Sequence, residues 1–311
     1  DEMKIYINNP KENWVVDRFR KEFASHKSGN FTEDISLADV VWIVAPWTWT
    51  SIPLDVLREK KVVCTIHHIV PNKFDSMKIE EFRFRDQFVD HYHVPCDLTK
   101  WMIENALRGI TTKPIFVHPF WANEKLWKPI EDKTSLRLKY NIPENVNLIG
   151  SFQRDTEGHD LISPKLEKGP DIFCDMVKKI HKSNNNTEVL LAGWRRQYVI
   201  SRLKEMGIKY HYFELPSFEV VNELYNCLDL YVVGSRYEGG PQSIFECALT
   251  KTPIVSTDVG AAKSILSKKS IYTPGERGIP SADVEYAFQN VQKYTIEKGM
   301  NSILEFMKTR L

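Results

Sequence analysis

The stretch Tyr231–Ile265, YVVGSRYEGGPQSIFECALTKTPIVSTDVGAAKSI, constrains this chain more than any other. Leu230–Val233 is a short apolar run of the kind that forms a buried parallel strand. The loop Gly234–Gly240 ends in two glycines. Pro241 takes the place of a first helical residue, where its missing N–H is no loss. Gln242–Thr250 reads as a helix burying Ile244, Phe245, Ala248 and Leu249; Thr252-Pro253 stops it, and Ile254–Ser256 is the next strand. Strand, glycine loop and helix N-terminus in series bind anions. The first N–H groups of the helix point outward, and Gly239 and Gly240 let a phosphate approach closely. The expected class is α/β, with a phosphate-bearing ligand.

Two carboxylates, Glu238 and Glu246, frame that loop. Ionised carboxylates only accept hydrogen bonds and repel phosphate, so they suit paired hydroxyls of a sugar or ribose. A phosphate in the middle with hydroxyls at both ends describes a nucleotide sugar. Taken singly, each Glu has a plainer reading, as an acid favoured by the helix dipole or an exposed mid-helix side chain.

The 311 residues suit two domains of about 150 residues each. A net charge of +1 gives no basis for nucleic-acid binding. No apolar run approaches the ~20 residues that span a bilayer, and no signal-peptide pattern is visible. Cys64, Cys96, Cys174, Cys227 and Cys247 are odd in number and dispersed, with neither metal spacing nor a disulfide framework. A reducing, cytoplasmic setting is expected.

Met3–Asn8 reads as a strand, but Asn9–Asn13 follows where a dinucleotide fold would place a glycine loop. A helix is predicted from Asn13 to His26, with Val15, Phe19 and Phe23 on one face and Arg18, Arg20, Lys21 and Lys27 opposite. Such a basic face either rests peripherally on anionic lipid or is solvated. Trp47 and Trp49 follow the strand Ala38–Ala45, either as a sugar platform or as packing between loops. Lys61–Ile69 is a strand carrying His67 and His68 at its C-terminal end, where open α/β sheets place ligands. Glu131–Leu138, charged and without a clear apolar face, reads as the crossing to the second domain. There the strand Asn147–Phe152 leads to Arg154, a polar loop Asp155–Glu167, Lys168-Gly169 and a helix. Gly193-Trp194-Arg195-Arg196 ends the next strand, and Leu215-Pro216-Ser217 follows the one after.

Ser235-Arg-Tyr-Glu238-Gly-Gly-Pro241, Glu246-Cys-Ala-Leu, Thr252-Pro-Ile-Val255 and Val259-Gly260 together resemble the signature of retaining GT-B glycosyltransferases of family 4, glycosyl transferases group 1. That family carries two glutamates separated by seven residues, then small residues, a Pro-Val strand and a glycine turn. The resemblance is strongest over residues 145–270 and traceable from residue 3 to the C-terminus. It implies two Rossmann-like domains with a cleft between them: 1–130 for the acceptor, 131–290 for the donor, and 291–311 as a helix returning to the first domain.

The resemblance also implies roles. Arg154 and Lys168 hold the donor diphosphate, the arginine as a planar fork and the lysine as a point charge. Gly239, Gly240 and Pro241 lie at the phosphates, Glu246 binds the ribose, Glu238 contacts the donor sugar, and the loop at Leu215 holds the base through its backbone. Thr65-Ile66-His67 matches the family's threonine-apolar-histidine motif, so His67 faces the sugar; His68 stands where the family often has Asp. Where the family has glycines near the nucleotide, Arg195 or Arg196 is a further, secondary candidate for phosphate contact. No D-x-D motif occurs, so no metal and no other cofactor is expected, and the leaving phosphate takes the acceptor's proton. The implied function is sugar transfer from a nucleotide-diphosphate sugar to a glycan, lipid-linked or other hydroxyl acceptor. The alternatives are a non-catalytic sugar-nucleotide or glycan-binding module, and a GT-B epimerase or phosphorylase. Donor base, sugar and oligomeric state are written in no motif.

Overall fold

The computed structural model describes residues 2–9, 11 and 15–311. The sequence expectations on Pro10, Glu12 and Asn13 lie outside the described residues. The chain divides into two compact units, Asp1–Trp121 with Tyr294–Leu311, and Ala122–Lys293.

The first unit is built on β1 (Ile5–Ile7), β2 (Val40–Ile43), β3 (Lys61–Thr65), β4 (His91–Val94) and β5 (Ile115–Val117), all parallel and in that spatial order. Helices α1 (Val15–His26), α2 (Leu54–Glu59), α3 (Ser76–Asp86) and α4 (Asp97–Trp101) alternate with them. The inner strands β2 and β3 are rich in valine and buried on both faces, which is why they read as continuous apolar runs. Ile5, Ile7, Trp42 and Val63 pack on Val16, Phe19 and Phe23 of α1. On the other face Cys64 pairs in register with Tyr92, whose ring stacks on Phe82 of α3 at 5.3 Å. Thus α1 and α3 cover opposite faces. After α1 the chain first lays Phe31 beside Ile5 as a parallel bridge, on the edge of β1 away from β2, and only then returns to form β2.

The basic face expected on α1 is largely turned inward. Arg18 and Arg20 are only 12% and 14% exposed at the side chain. Arg20 donates Nε–H to the Ile7 carbonyl and lies over Phe31, and Arg18 pairs with Glu22 at 3.6 Å. Their aliphatic stems cover apolar surface, so the outward stripe read from the sequence is reduced to Lys21 and Lys27.

The second unit contains α5 (Lys133–Lys139), β6 (Asn147–Ser151), α6 (Pro170–Ser183), β7 (Thr187–Ala192), α7 (Gln197–Met206), β8 (Tyr210–Phe213), α8 (Phe218–Cys227), β9 (Leu230–Val233), α9 (Gln242–Thr250), β10 (Ile254–Thr257), α10 (Ala262–Ile265), β11 (Ile271–Tyr272) and α11 (Val284–Val291). Its six parallel strands run β11-β10-β9-β6-β7-β8. The chain starts at the centre, winds outward through β7 and β8, and returns to β9 on the other side of β6.

The unit boundary falls nearer Trp121 than the expected residue 130. Trp127 is buried against Phe218 and Tyr225, and Asn222 and Asn226 of α8 accept from the Lys128 and Ile130 amides at 3.0 and 2.7 Å. These contacts fasten 122–130 to the second unit. Nor is Glu131–Leu138 a crossing. It enters α5, whose buried Arg137 donates to the carbonyls of Cys227 and Val146 and to Asp229. An arginine supplies the inward contact that the sequence pattern lacks.

The last helix, α12 (Ile296–Arg310), belongs to the first unit. It buries Met300, Ile303, Leu304 and Met307 in the cluster built on α1 and β2. Among the described residues no helix is long and apolar enough to cross a membrane.

Candidate functional site

In the second unit the strand order reverses between β6 and β9. At such a switch point open α/β sheets hold ligands, beyond the C-terminal ends of the strands. Arg154 and Lys168 lie in the segment after β6, and Glu238 in the loop after β9. Gly169 joins the two. It has φ +62°, and a Cβ there would lie 1.7 Å from the Gly234 carbonyl oxygen, so only glycine lets these loops touch.

That contact brings Lys168 to Glu238, seventy positions away. Nζ lies 2.9 Å from both carboxylate oxygens. Glu238 is 6% exposed at the side chain and Lys168 22%. The Ser235 hydroxyl donates to Glu238 Oε1 at 2.8 Å, while Thr257 fixes Ser235 through its carbonyl. Arg154 and Lys168 line the same narrow recess, with Gly234 and Phe173 behind them. Arg154 donates Nε–H to the Thr156 carbonyl at 2.9 Å. Burial, and then the charge of Arg195, push the Arg154 guanidinium below its ordinary pKa. Asp155–Glu167 folds back on itself, with Glu157 N–H on the Ser163 carbonyl and Lys165 N–H on that of Asp155.

Pro241 is not the first helical residue but the cap before it, at φ −63° and ψ 151°, and α9 starts at Gln242. The bond before Pro241 is cis. Gly239 and Pro241 are buried and Gly240 half-buried. The Gly240 carbonyl accepts from Ala261 N–H at 2.7 Å, and a Cβ on Gly260 would lie 1.9 Å from that oxygen. The glycine turn of the sequence motif therefore braces the loop ahead of α9.

Glu246 is buried rather than an exposed mid-helix acid, and Tyr225 of α8 donates to its Oε1 at 3.0 Å. Burial, and then the Glu246 charge, raise the Tyr225 phenol well above its ordinary range and hold it protonated as that donor. Leu215 is 78% exposed, in the loop that follows β8. Arg196 is consumed by structure. At 1% side-chain exposure it pairs with Asp155 at 2.9 Å and donates to the Ser151 hydroxyl and the Ala192 carbonyl, tying β6 to β7. Phosphate contact by Arg196 is therefore set aside. Sequence reading missed Ser235 and Tyr225 as the groups that orient the two glutamates. Ser235 stands three residues before Glu238, a faint signal; Tyr225 has none.

His67 belongs to the first unit, just beyond β3. Its Nε2 lies 2.7 Å from the Val44 carbonyl, which can only accept, so Nε2 carries the hydrogen. Its ring stacks on Phe120 at 5.6 Å. Beneath it Trp42 Nε1–H donates to Thr65 Oγ1, which lies 2.9 Å from His93 Nδ1, and His93 Nε2 meets the His118 carbonyl. Trp49 packs on Phe84 and Phe88, the plainer of its two readings, whereas Trp47 is partly exposed 6.5 Å from the His67 ring.

A recess of about 480 Å³ between α6 and the loop at Gly275 contains none of these residues. Among the described residues no group of His, Cys, Asp and Glu is arranged to hold a metal ion.

Residues 161–291 match the family described as glycosyl transferases group 1. The lipopolysaccharide core biosynthesis mannosyltransferase LpsB of Rhizobium meliloti (strain 1021) is 23% identical over 150 residues, 46% of this chain and 40% of that protein. The match thus spans well under half of that relative's length. Among solved structures, Anabaena Alr3699/HepE in complex with UDP and glucose matches with a TM-score of 0.78 at 13% identity, covering 99% of this chain and 100% of that one. Sucrose-phosphate synthase from Thermosynechococcus elongatus matches with a TM-score of 0.67 at 15% identity, covering 95% and 78%. Residues 161–291 thus match the glycosyl transferases group 1 family, and the chain shares the GT-B fold of these solved structures.

Proposed function

We propose that this chain is a retaining, metal-independent glycosyltransferase that moves a sugar from a nucleotide-diphosphate sugar to a hydroxyl of a glycan or lipid-linked acceptor. The observation that carries the reading is the set of charges at the β6/β9 switch point. Lys168 is fixed on buried Glu238, with Arg154 lining the same recess and the start of α9 close in sequence. An ammonium has three N–H groups, and two serve Glu238, so the third is available to a phosphate oxygen without breaking the pair. The similar proteins, a mannosyltransferase and a protein in complex with UDP and glucose, support the same chemistry.

In this reading the bond between the donor's anomeric carbon and the diphosphate breaks, and negative charge develops on the leaving phosphate. Arg154 and Lys168 stabilise that charge, the work a metal ion does in other transferases. The acceptor oxygen bonds to the anomeric carbon on the face the phosphate leaves, and its proton passes to the phosphate. Glu238 accepts from sugar hydroxyls and Glu246 from the ribose. Gly239, Gly240 and Pro241 border the phosphates, the Leu215 backbone meets the base, and His67 is assigned to the sugar by resemblance. All five cysteines are buried and none is in a disulfide, which suits a reducing, cytoplasmic setting.

The test is a thermal-shift screen with UDP, GDP, ADP, CMP and dTDP and their sugars, on the wild type, Lys168→Ala and Glu246→Ala. A ligand at a hundred times its Kd stabilises by about 2.7 kcal/mol. Selective stabilisation by one diphosphate, lost in both variants, is expected. Turnover on that donor, abolished in Lys168→Ala, separates an enzyme from a binding module. No shift with any nucleotide sinks the donor site.

A further inference from the structure

Trp194 is a large apolar side chain left 53% exposed at the C-terminal end of β7. Its ring contacts among the described residues are with two guanidinium groups. Arg154 Cζ and Arg195 Cζ each lie 5.5 Å from the indole centroid. Because β6 and β7 are neighbours, with Ser151 paired to Leu191, the loops carrying these residues run side by side.

The turn is built to make this contact. Gly193 and Arg195 adopt φ 95° and 60°, the second in a region that arginine seldom occupies. Arg195 is then fastened to the loop that follows Arg154. Its carbonyl accepts from Asp155 N–H at 2.9 Å, and its side chain donates to Thr156 Oγ1 and to the Gly158 carbonyl. Two like charges are held on one side chain. The negative faces of an indole are what makes that arrangement favourable, and a purely apolar side chain of similar bulk would not. On Arg154 itself Nε–H is spent on the Thr156 carbonyl, and the ring and the charges of Glu157 and Glu167 act on the rest of the guanidinium.

We infer that Trp194 is a positioning residue: it holds the Arg154 guanidinium toward the recess shared with Lys168, and with Arg195 beside it makes the mouth of that recess a two-cation entry for a diphosphate. The inference rests on the proposed donor role of Arg154. It adds a chain-specific device at a position the sequence motif leaves to glycine. Trp194 acts through Arg154 and does not stack on the base.

The test is a double-mutant cycle on Arg154 and Trp194, read by calorimetric titration with UDP, GDP and ADP and with the corresponding monophosphates. Arg154→Ala is expected to weaken the preferred diphosphate about tenfold, the loss of a charge-assisted hydrogen bond. Trp194→Leu, which keeps bulk and removes the π face, is expected to weaken it about three- to fivefold. Trp194→Phe restores wild-type affinity to within about twofold, because the π face returns. The double variant Arg154→Ala/Trp194→Leu should bind no worse than Arg154→Ala alone. Multiplying losses in the double variant would overturn the inference, as would wild-type affinity in Trp194→Leu. An equal loss for the monophosphate would overturn it by showing base stacking instead. If Arg154→Ala itself binds like the wild type, the donor-site reading fails, and the positioning role with it. That outcome is distinct from an active Arg154 with an indifferent Trp194.

Discussion

Removing Lys168 separates the stability of the site from its binding. In Lys168→Met the buried Glu238 carboxylate loses two hydrogen bonds of 2.9 Å and keeps the one from Ser235 at 2.8 Å. Stripping one partner from a fully buried ion pair costs ~3–5 kcal/mol. Lys168 is 22% exposed and Ser235 still serves the carboxylate, so water and the hydroxyl moderate the loss to about 2 kcal/mol. For a unit spanning Ala122–Lys293 this lowers Tm by roughly 4–8 °C. In Lys168→Met/Glu238→Gln the stranded charge is gone, and melting should return to within roughly 2 °C of the wild type. Both variants should nevertheless fail to bind the nucleoside diphosphate that stabilises the wild type, because the cation is absent from each. Calorimetric melting at pH 7.5, with and without UDP, GDP and ADP, reads both effects. Equal melting of Lys168→Met and the wild type would refute the role of the pair. A double variant as unstable as the single would assign the loss to packing of the lysine stem instead.

Two further predictions concern the scaffold. His93 is fully buried, with its ring nitrogens on Thr65 and the His118 carbonyl, and burial pushes its pKa from an ordinary 6.5 down to about 3. Below pH 6.5 the unfolded chain binds a proton that the folded one refuses, so stability is lost as pH falls from 6.5 toward 3, by about 2 kcal/mol at pH 5. Urea denaturation at pH 7.5 and 5.0 should show that loss shrinking in His93→Gln, and an unchanged pH dependence would contradict it. At the loop contact, Gly169→Ala meets both a φ of +62° and the Gly234 carbonyl, whereas Gly207→Ala meets a φ of +67° in open space. The second substitution should cost about 1 kcal/mol and the first clearly more, with Lys168 drawn away from Glu238. Equal melting temperatures for the two would refute the close-approach argument.

Much of the second unit is legible because its signals are local. The apolar run at Leu230–Val233, the glycines before Pro241 and the Thr252-Pro253 stop mark a strand, loop, helix and strand that the structure contains within a residue or two. In both units the sequence is less legible where polar side chains do apolar work. The arginines of α1 looked like a solvated stripe, yet Arg18 and Arg20 lie against the protein, and the buried guanidinium of Arg137 anchors a helix that looked like a linker. Residue type predicts burial poorly for side chains with a long apolar stem and a charged tip. Arg196 misled for the same reason, since nothing near it in sequence announces Asp155 as its buried partner.

The sequence by itself determined the class of the fold, the order of strands and helices along the chain, and the residue types available for a phosphate and for paired hydroxyls. Periodicity and turn chemistry act over a few residues, and those properties are local. The tertiary structure alone decided that β9 lies beside β6, that Gly169 rests on Gly234, and that Lys168 therefore meets Glu238 seventy residues on. It also decided that Tyr225 orients Glu246 and that two arginines flank Trp194. Strand order and buried pairing follow from how distant elements jointly exclude water, which no short stretch of chain encodes.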